Sequence, residues 1–324
     1  MSEIIEIYDD RLRAIVSPNA SLQKLANGAV HSEGPVYFHE DDSVVWSDAH
    51  GNRLLRWSPN DDVSVLRDPS DYQSGNYRDL EGRLVACSSG LRAIIRREDN
   101  GKWKILVDRY QGKRLNSPND LVVKSDGTIW FTDPPYGITE PNQGYGGEQE
   151  QPGSYVYRFD PATGEIYPVV TDMVRPNGLA FSADENLLYV SDTAAFNIPG
   201  GPHDIRVYEV VGVGVARRRH RYVKNGRVFA VIDPGQPDGF RVDKYGNVFT
   251  SSQDSVQIYA PDGTQLGKIL VPETSTNLTF SAKEGDSLSG TLSPADTLRE
   301  RERLFITAGH SLYAIDLNTR GVQQ

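Results

Sequence analysis

The chain has 324 residues, enough for one large all-β domain or two smaller ones, and its 38% hydrophobic and 24% charged content is ordinary for a soluble globular protein. A net charge of −10 disfavours a nucleic-acid or anionic-membrane partner. The single cysteine, Cys87, excludes an intrachain disulfide and any CxxC zinc or redox centre, and its apolar setting reads as a buried structural thiol.

In chain order, residues 1–30 read as an N-terminal extension or a closing strand, with neither a basic leader nor an apolar span long enough for a membrane. The chain is therefore expected to be soluble and cytoplasmic. Apolar-alternating strand pairs follow. Val44–Ser47 leads to Arg53–Trp57, Leu84–Cys87 to Ala93–Arg96, and Ile129–Thr132 to Tyr155–Phe159. Leu188–Ser191 leads to Ile205–Tyr208, Val248–Ser251 to Val256–Tyr259, and Leu304–Thr307 to Ser311–Ile315. Tight turns such as Asp160-Pro161-Ala162-Thr163-Gly164 and Ala260-Pro261-Asp262-Gly263 end the outer strands. Repeat spacing of about 40 to 60 residues is that of four-stranded propeller blades. The expected fold is all-β: one six-bladed β-propeller over 1–324, its four-stranded antiparallel blades set around a central metal-containing channel. The stretch 283–302, with a helical signal from Ser293, is expected as a rim insertion. Arg217 to Arg221, the only basic cluster, reads as a solvated strand or loop.

Four of the repeats carry an oxygen-bearing side chain at nearly one offset. Glu33 precedes Asp48 by 15 residues, Asn119 precedes Asp133 by 14, Asn177 precedes Asp192 by 15, and Asp238 precedes Ser252 by 14. Each stands beside Pro or Gly, as in Pro176-Asn177-Gly178 and Pro237-Asp238-Gly239. A single such residue reads as a turn cap. Four at matched positions of a closed repeat converge on the axis. Two carboxylates and two amides there suit a hard divalent cation, most of all Ca²⁺, with Zn²⁺, Mg²⁺ or Mn²⁺ as alternatives. Ser74 and Asn76 in the second unit and Asn277 in the sixth are expected to line the channel and meet substrate or water. Asp48, Asp133 and Asp192 read as backbone caps. Neither His31 nor His310, the histidines nearest the mouth, has a second His at metal-ligand spacing, and both read as surface or packing residues. The long links 133–154 and 192–204, with Tyr136, Asn142, Tyr145, Phe196 and Asn197, are expected to wall the substrate side.

At these residues the chain resembles the family of senescence marker protein 30, gluconolactonase and luciferin-regenerating proteins. The matching stretches are Ser32–Tyr37, Asn116–Asp120, Phe131–Gly137, Arg175–Ser182 and Pro237–Asp243. The resemblance implies a propeller with a central divalent metal on Glu33, Asn119, Asn177 and Asp238, and hydrolysis of a sugar lactone. Where bacterial gluconolactonases carry Cys-Glu-His-Gly, this chain has Cys87-Ser88-Ser89-Gly90. Asp238 is expected as ligand and general base, Asn119 as a second catalytic group, and Tyr136 as a substrate contact. The alternatives are a diisopropylfluorophosphatase-like phosphotriesterase at the same site and a non-catalytic, Ca²⁺-stabilised interaction propeller. A monomer or small homo-oligomer acting on a small lactone, without nucleic acid or membrane, completes the expectation.

Overall fold

The computed structural model describes residues 4–17, 19–211, 222–281 and 302–322. Six antiparallel sheets of four or five strands follow one another along the chain, with a small two-stranded sheet, Arg109–Tyr110 against Lys113–Arg114, between the second and third; the innermost strands of the six touch in ring order, the sixth meeting the first. Blade 1 is Ser32–Phe38, Ser43–Asp48, Arg53–Ser58 and Asp62–Arg67, and blade 2 runs from Gln73–Arg78 out to Trp103–Val107. Blades 3, 4 and 5 begin with Leu121–Val123, Pro176–Phe181 and Phe240–Val242. Blade 6 takes Ser275–Phe280, Arg303–Ala308 and Ser311–Asp316 from the C-terminal end, and its outermost strand, Gln23–Asn27, from the other end of the chain. That pairing clasps first and last segments together, and a closed ring leaves no inner sheet edge exposed. Ile5–Ile7 adds a fifth strand to blade 5. The six-bladed propeller expected from the repeats is the observed fold. Residues 283–301 and the cluster Arg217 to Arg221 lie outside the described residues.

The strand pairs read from the sequence form with bounds within two residues of those expected, because the second strand of each blade is apolar on both faces. Ser43–Asp48 and Ile129–Asp133 are buried throughout, and only outermost strands such as Asp62–Arg67 face solvent. The core lies between blades. One cluster joins Ile94 of blade 2, Trp130 and Tyr157 of blade 3 and Phe181 of blade 4. Another carries Trp46 and Tyr37 of blade 1 against Phe305 of blade 6, across the closure. Fully burying one such side chain stabilises by about 2 to 3 kcal/mol, so each interface is held without help from the axis. The axis is thereby left for polar groups. No helix among the described residues is long and apolar enough to cross a membrane.

Candidate active site

The residue that opens each blade stands on an irregular backbone. Register shifts interrupt the first ladder between Glu33 and Val36, Gln73 and Asn76, Pro176 and Leu179, and Ser275 and Asn277. In blades 3 and 5 the regular strand starts only at Leu121 and Phe240, after Asn119 and Asp238. A bulge of this kind turns a side chain out of the pleat alternation. The neighbouring blade then fixes the backbone. Gly75 N–H donates to Asn119 O at 2.7 Å and Gly239 N–H donates to Thr276 O at 2.7 Å. The hydroxyls closing the second strands do likewise: Ser47 to Ser74 O at 2.7 Å, Thr132 to Asn177 O at 2.6 Å, and Ser191 to Asp238 O at 2.8 Å. With their carbonyls committed to a neighbour, the side chains are free to face the axis.

Those side chains meet. Glu33, Asn119, Asn177, Asp238, Ser74 and Tyr136 all line one cavity of about 310 Å³ at the channel mouth. Tyr136 and Phe196 come from the two long links, as expected. Asn76 and Asn277 lie elsewhere, and Asn142, Tyr145 and Asn197 of the long links do not line it either. Asn76 is fully buried and donates to Gly34 O at 2.8 Å, Ser47 Oγ at 2.8 Å and Ser74 O at 3.0 Å, so it clamps blades 1 and 2 together. Asn277 lies beneath the cavity floor, where it donates to Glu33 Oε2 at 3.0 Å and to Asp120 Oδ2 at 3.2 Å. The position in blade 6 that matches Glu33 is Thr276, because it is the Thr276 carbonyl that takes the recurrent glycine bond. The bulge displaced the expected register there by one residue.

Asp120 is the group that the repeat pattern did not single out. Four of the six blades have glycine directly after the axial residue, and blades 3 and 6 have Asp120 and Asn277 instead. The glycines of the preceding blades make room for them. A Cβ on Gly75 would lie 2.3 Å from Asp120 Oδ1, and one on Gly239 would lie 2.0 Å from Asn277 Cγ. An acid standing where its neighbours have glycine was the available signal.

The electrostatics are those of crowded acid. Burial raises Glu33 well above the ordinary carboxylate range, and the charges of Asp238 and Asp120 raise it further. Burial and Asp120 push Asp238 up to about 7, against a hydrogen bond from Asn177. Glu33 Oε1 is buried with no hydrogen-bond partner. Among the described residues no three His, Cys, Asp or Glu side chains gather as a metal cluster; the donor set is mixed, two carboxylates with two amides. Such an all-oxygen set, with one carboxylate oxygen unpartnered, fits a hard divalent cation.

The aspartates closing the second strands hold the segments that lead into the site. Asp48 accepts from the amides of Val30 at 2.8 Å and His31 at 3.0 Å, Asp133 from Asn116 at 2.8 Å, and Asp192 from Val174 at 2.8 Å and Arg175 at 3.0 Å. His31 and His50 stack at 4.4 Å on the cavity wall. Burial and the neighbouring His50 bring His31 down to about 4, so it is neutral at pH 7. The sequence pattern did not pick out His50. Ser89 also lines the cavity and donates to Pro118 O at 3.2 Å, whereas Ser88 is buried on Asp71 O at 2.7 Å.

A propeller whose axial mouth gathers Glu, two Asn and Asp defines a class, and comparison with known proteins agrees with it. The SMP-30/gluconolactonase/LRE-like family model matches residues 31–293, and the chain belongs to that family. A gluconolactonase from Zymomonas mobilis is 32% identical over 97% of this chain and 86% of its own length. A pentonolactonase from Haloferax volcanii is 26% identical, covering 89% and 91%. The solved structure of a gluconolactonase from Xanthomonas campestris superposes with a TM-score of 0.82 at 37% identity, over 97% of this chain and 95% of the other.

Proposed function

We propose that this protein hydrolyses an uncharged sugar lactone, with a divalent cation, Ca²⁺ first among the candidates, held by Glu33, Asn119, Asn177 and Asp238. The observation that carries the reading is the convergence of these four side chains on one cavity in a family of lactone-opening relatives. When bound, such a cation polarises the lactone carbonyl and steadies the negative charge that develops on its oxygen.

The chain's own groups do the rest. Asp238 takes a proton from the attacking water and returns it to the ring oxygen as the acyl C–O bond breaks, leaving a hydroxy acid. Asn119 and Asn177 offer amide N–H groups to the substrate as it turns tetrahedral. Asn277 fixes one oxygen of Glu33, so the other keeps its aim. Tyr136 Oη and Thr193 Oγ1, 2.6 Å apart, present a hydroxyl pair to sugar hydroxyls on the wall. Among the described residues no Lys or Arg lines the cavity; beside the His31–His50 stack its remaining polar groups are amides and hydroxyls such as Gln143, Gln236 and Thr274. A neutral polyol lactone finds partners there, and a carboxylate or sulfonate finds no cationic side chain. The volume, about 310 Å³, lies at the small end of ligand pockets and suits one sugar ring.

The test is metal analysis of purified protein together with a panel of γ- and δ-sugar lactones and one phosphotriester, before and after chelation. The expected result is lactone turnover that chelation abolishes and divalent ion restores. Preference for the phosphotriester would transfer the site to the other ester class, and a chelation-sensitive melting temperature with no turnover would make the protein a non-catalytic propeller.

A further inference from the structure

Below the four axial side chains the channel is crossed twice by contacts between opposite blades. Asn277 of blade 6 reaches Asp120 of blade 3, directly across the ring. The guanidinium of Arg241, on the inner strand of blade 5, sits over the ring of Tyr77 on the inner strand of blade 2, 5.7 Å from its centroid. Blades 2 and 5 are also opposite, since inner strands touch in ring order. Two side chains from opposite blades meet only at the axis, so Arg241 and Tyr77 close the channel floor.

Arg241 is 5% exposed and Tyr77 3% exposed, and Arg241 Nη1 donates to Phe240 O at 2.9 Å. A guanidinium buried this deeply without a carboxylate in hydrogen-bond contact is costly unless a nearby field favours it. The acids of the axis supply that field: Asp120, itself 1% exposed, is reached across the same channel by Asn277, and Asp238 lies three residues before Arg241 on the same blade. In the ion-loaded site the carboxylates of Glu33, Asp238 and Asp120, set against the Arg241 guanidinium, would leave two negative charges along the channel.

We propose that Arg241 is a built-in counter-cation. It offsets Asp120 from the channel floor, so that the axial site above balances one divalent ion and binds it more weakly than its carboxylates alone would. The inference rests on the cation reading given above and adds to it a residue that touches neither ion nor substrate. Its consequence has an uncommon sign. Loss of a buried arginine ordinarily loosens a site by disorder, whereas here neutralising Arg241 tightens the ion.

The experiment is calorimetric titration of Ca²⁺ into chelator-treated protein at pH 8, with circular dichroism and melting curves recorded alongside. Arg241→Gln is expected to bind Ca²⁺ about tenfold more tightly or better, a size set by removing one unit charge a short distance away in a medium of effective dielectric about 20. Arg241→Lys, which keeps the charge, should stay within about threefold of wild type, and Asp120→Asn should weaken binding about tenfold. Should Arg241→Gln fail to fold, the Arg241→Gln/Asp120→Asn double variant removes both charges and is expected near wild-type affinity. Folded Arg241→Gln with unchanged or weaker affinity overturns the proposal, as does a double variant no better than Asp120→Asn. Wild type that takes up no Ca²⁺, Mn²⁺ or Zn²⁺ overturns the cation reading itself, a different result from a wild type that binds and does not respond to Arg241.

Discussion

The amide of Asn277 lies 3.0 Å from Glu33 Oε2, and the same nitrogen lies 3.2 Å from Asp120 Oδ2. One neutral donor thus ties an axial carboxylate of blade 1 to a buried acid of blade 3, leaving Glu33 Oε1 as the unpartnered oxygen. This pairing, together with the Gly34 N–H that donates to the same Oε2, decides which Glu33 oxygen is available to a ligand.

Removing that donor tests it. Asn277→Ala should weaken divalent-ion binding roughly ten- to hundredfold, since hydrogen bonds to charged groups contribute about 1.5 to 3 kcal/mol. Calorimetric titration beside a thermal melt checks this. Unaltered affinity in a folded variant would mean that Glu33 is oriented by something else.

The general-base assignment has its own test. Asp238→Asn should fold and lose lactone turnover by about 10² to 10⁴, the usual contribution of a positioned proton acceptor. A variant that binds the ion and turns over lactone near the wild-type rate would reduce Asp238 to a ligand.

Stability of the cation-free protein should fall as pH rises. Glu33 and Asp238 are raised in the folded state, Asp238 to about 7, so the folded protein holds protons that the unfolded chain has released. That contribution is fully present below the ordinary carboxylate range near pH 4 and is lost as pH climbs through 7. Chelator-treated protein should therefore melt at a lower temperature at pH 8 than at pH 5, and saturating divalent ion should flatten the trend. Proton competition should also weaken ion binding below pH 7. A cation-free melting temperature that rises from pH 5 to 8 would contradict the crowding.

The glycines beside the axis should resist substitution. At Gly239 an added Cβ would meet Asn277 Cγ at 2.0 Å, and at Gly75 it would meet Asp120 Oδ1 at 2.3 Å. Both Gly75→Ala and Gly239→Ala force overlap at a packed polar junction, and each should cost about 3 kcal/mol in denaturant unfolding. Gly112→Ala, with open space around it but a φ of +80°, should cost only about 1 to 2 kcal/mol for the left-handed backbone, so the excess at Gly75 and Gly239 reports the overlap.

Much of the molecule was legible in the chain alone. The apolar runs of strands such as Leu84–Cys87 and Val248–Ser251, with their turns and spacing, implied six blades, because strand preference and turn chemistry are local. The matched offsets of Glu33, Asn119, Asn177 and Asp238 placed four oxygens at one mouth, because a closed repeat turns equal sequence positions into equal radial ones. Tertiary structure alone decided the rest. It moved the blade 6 position from Asn277 to Thr276, since a bulge resets which side chain faces the axis without changing composition. It sent Asn76 into the joint between blades, and it chose Gln23–Asn27 as the closing strand of blade 6. It also set Asp120, Asn277 and Arg241 across the channel from their partners. The contacts across the channel, Asn277 with Asp120 and Arg241 with Tyr77, join residues 157 and 164 positions apart on opposite blades, and no local period of the chain encodes them.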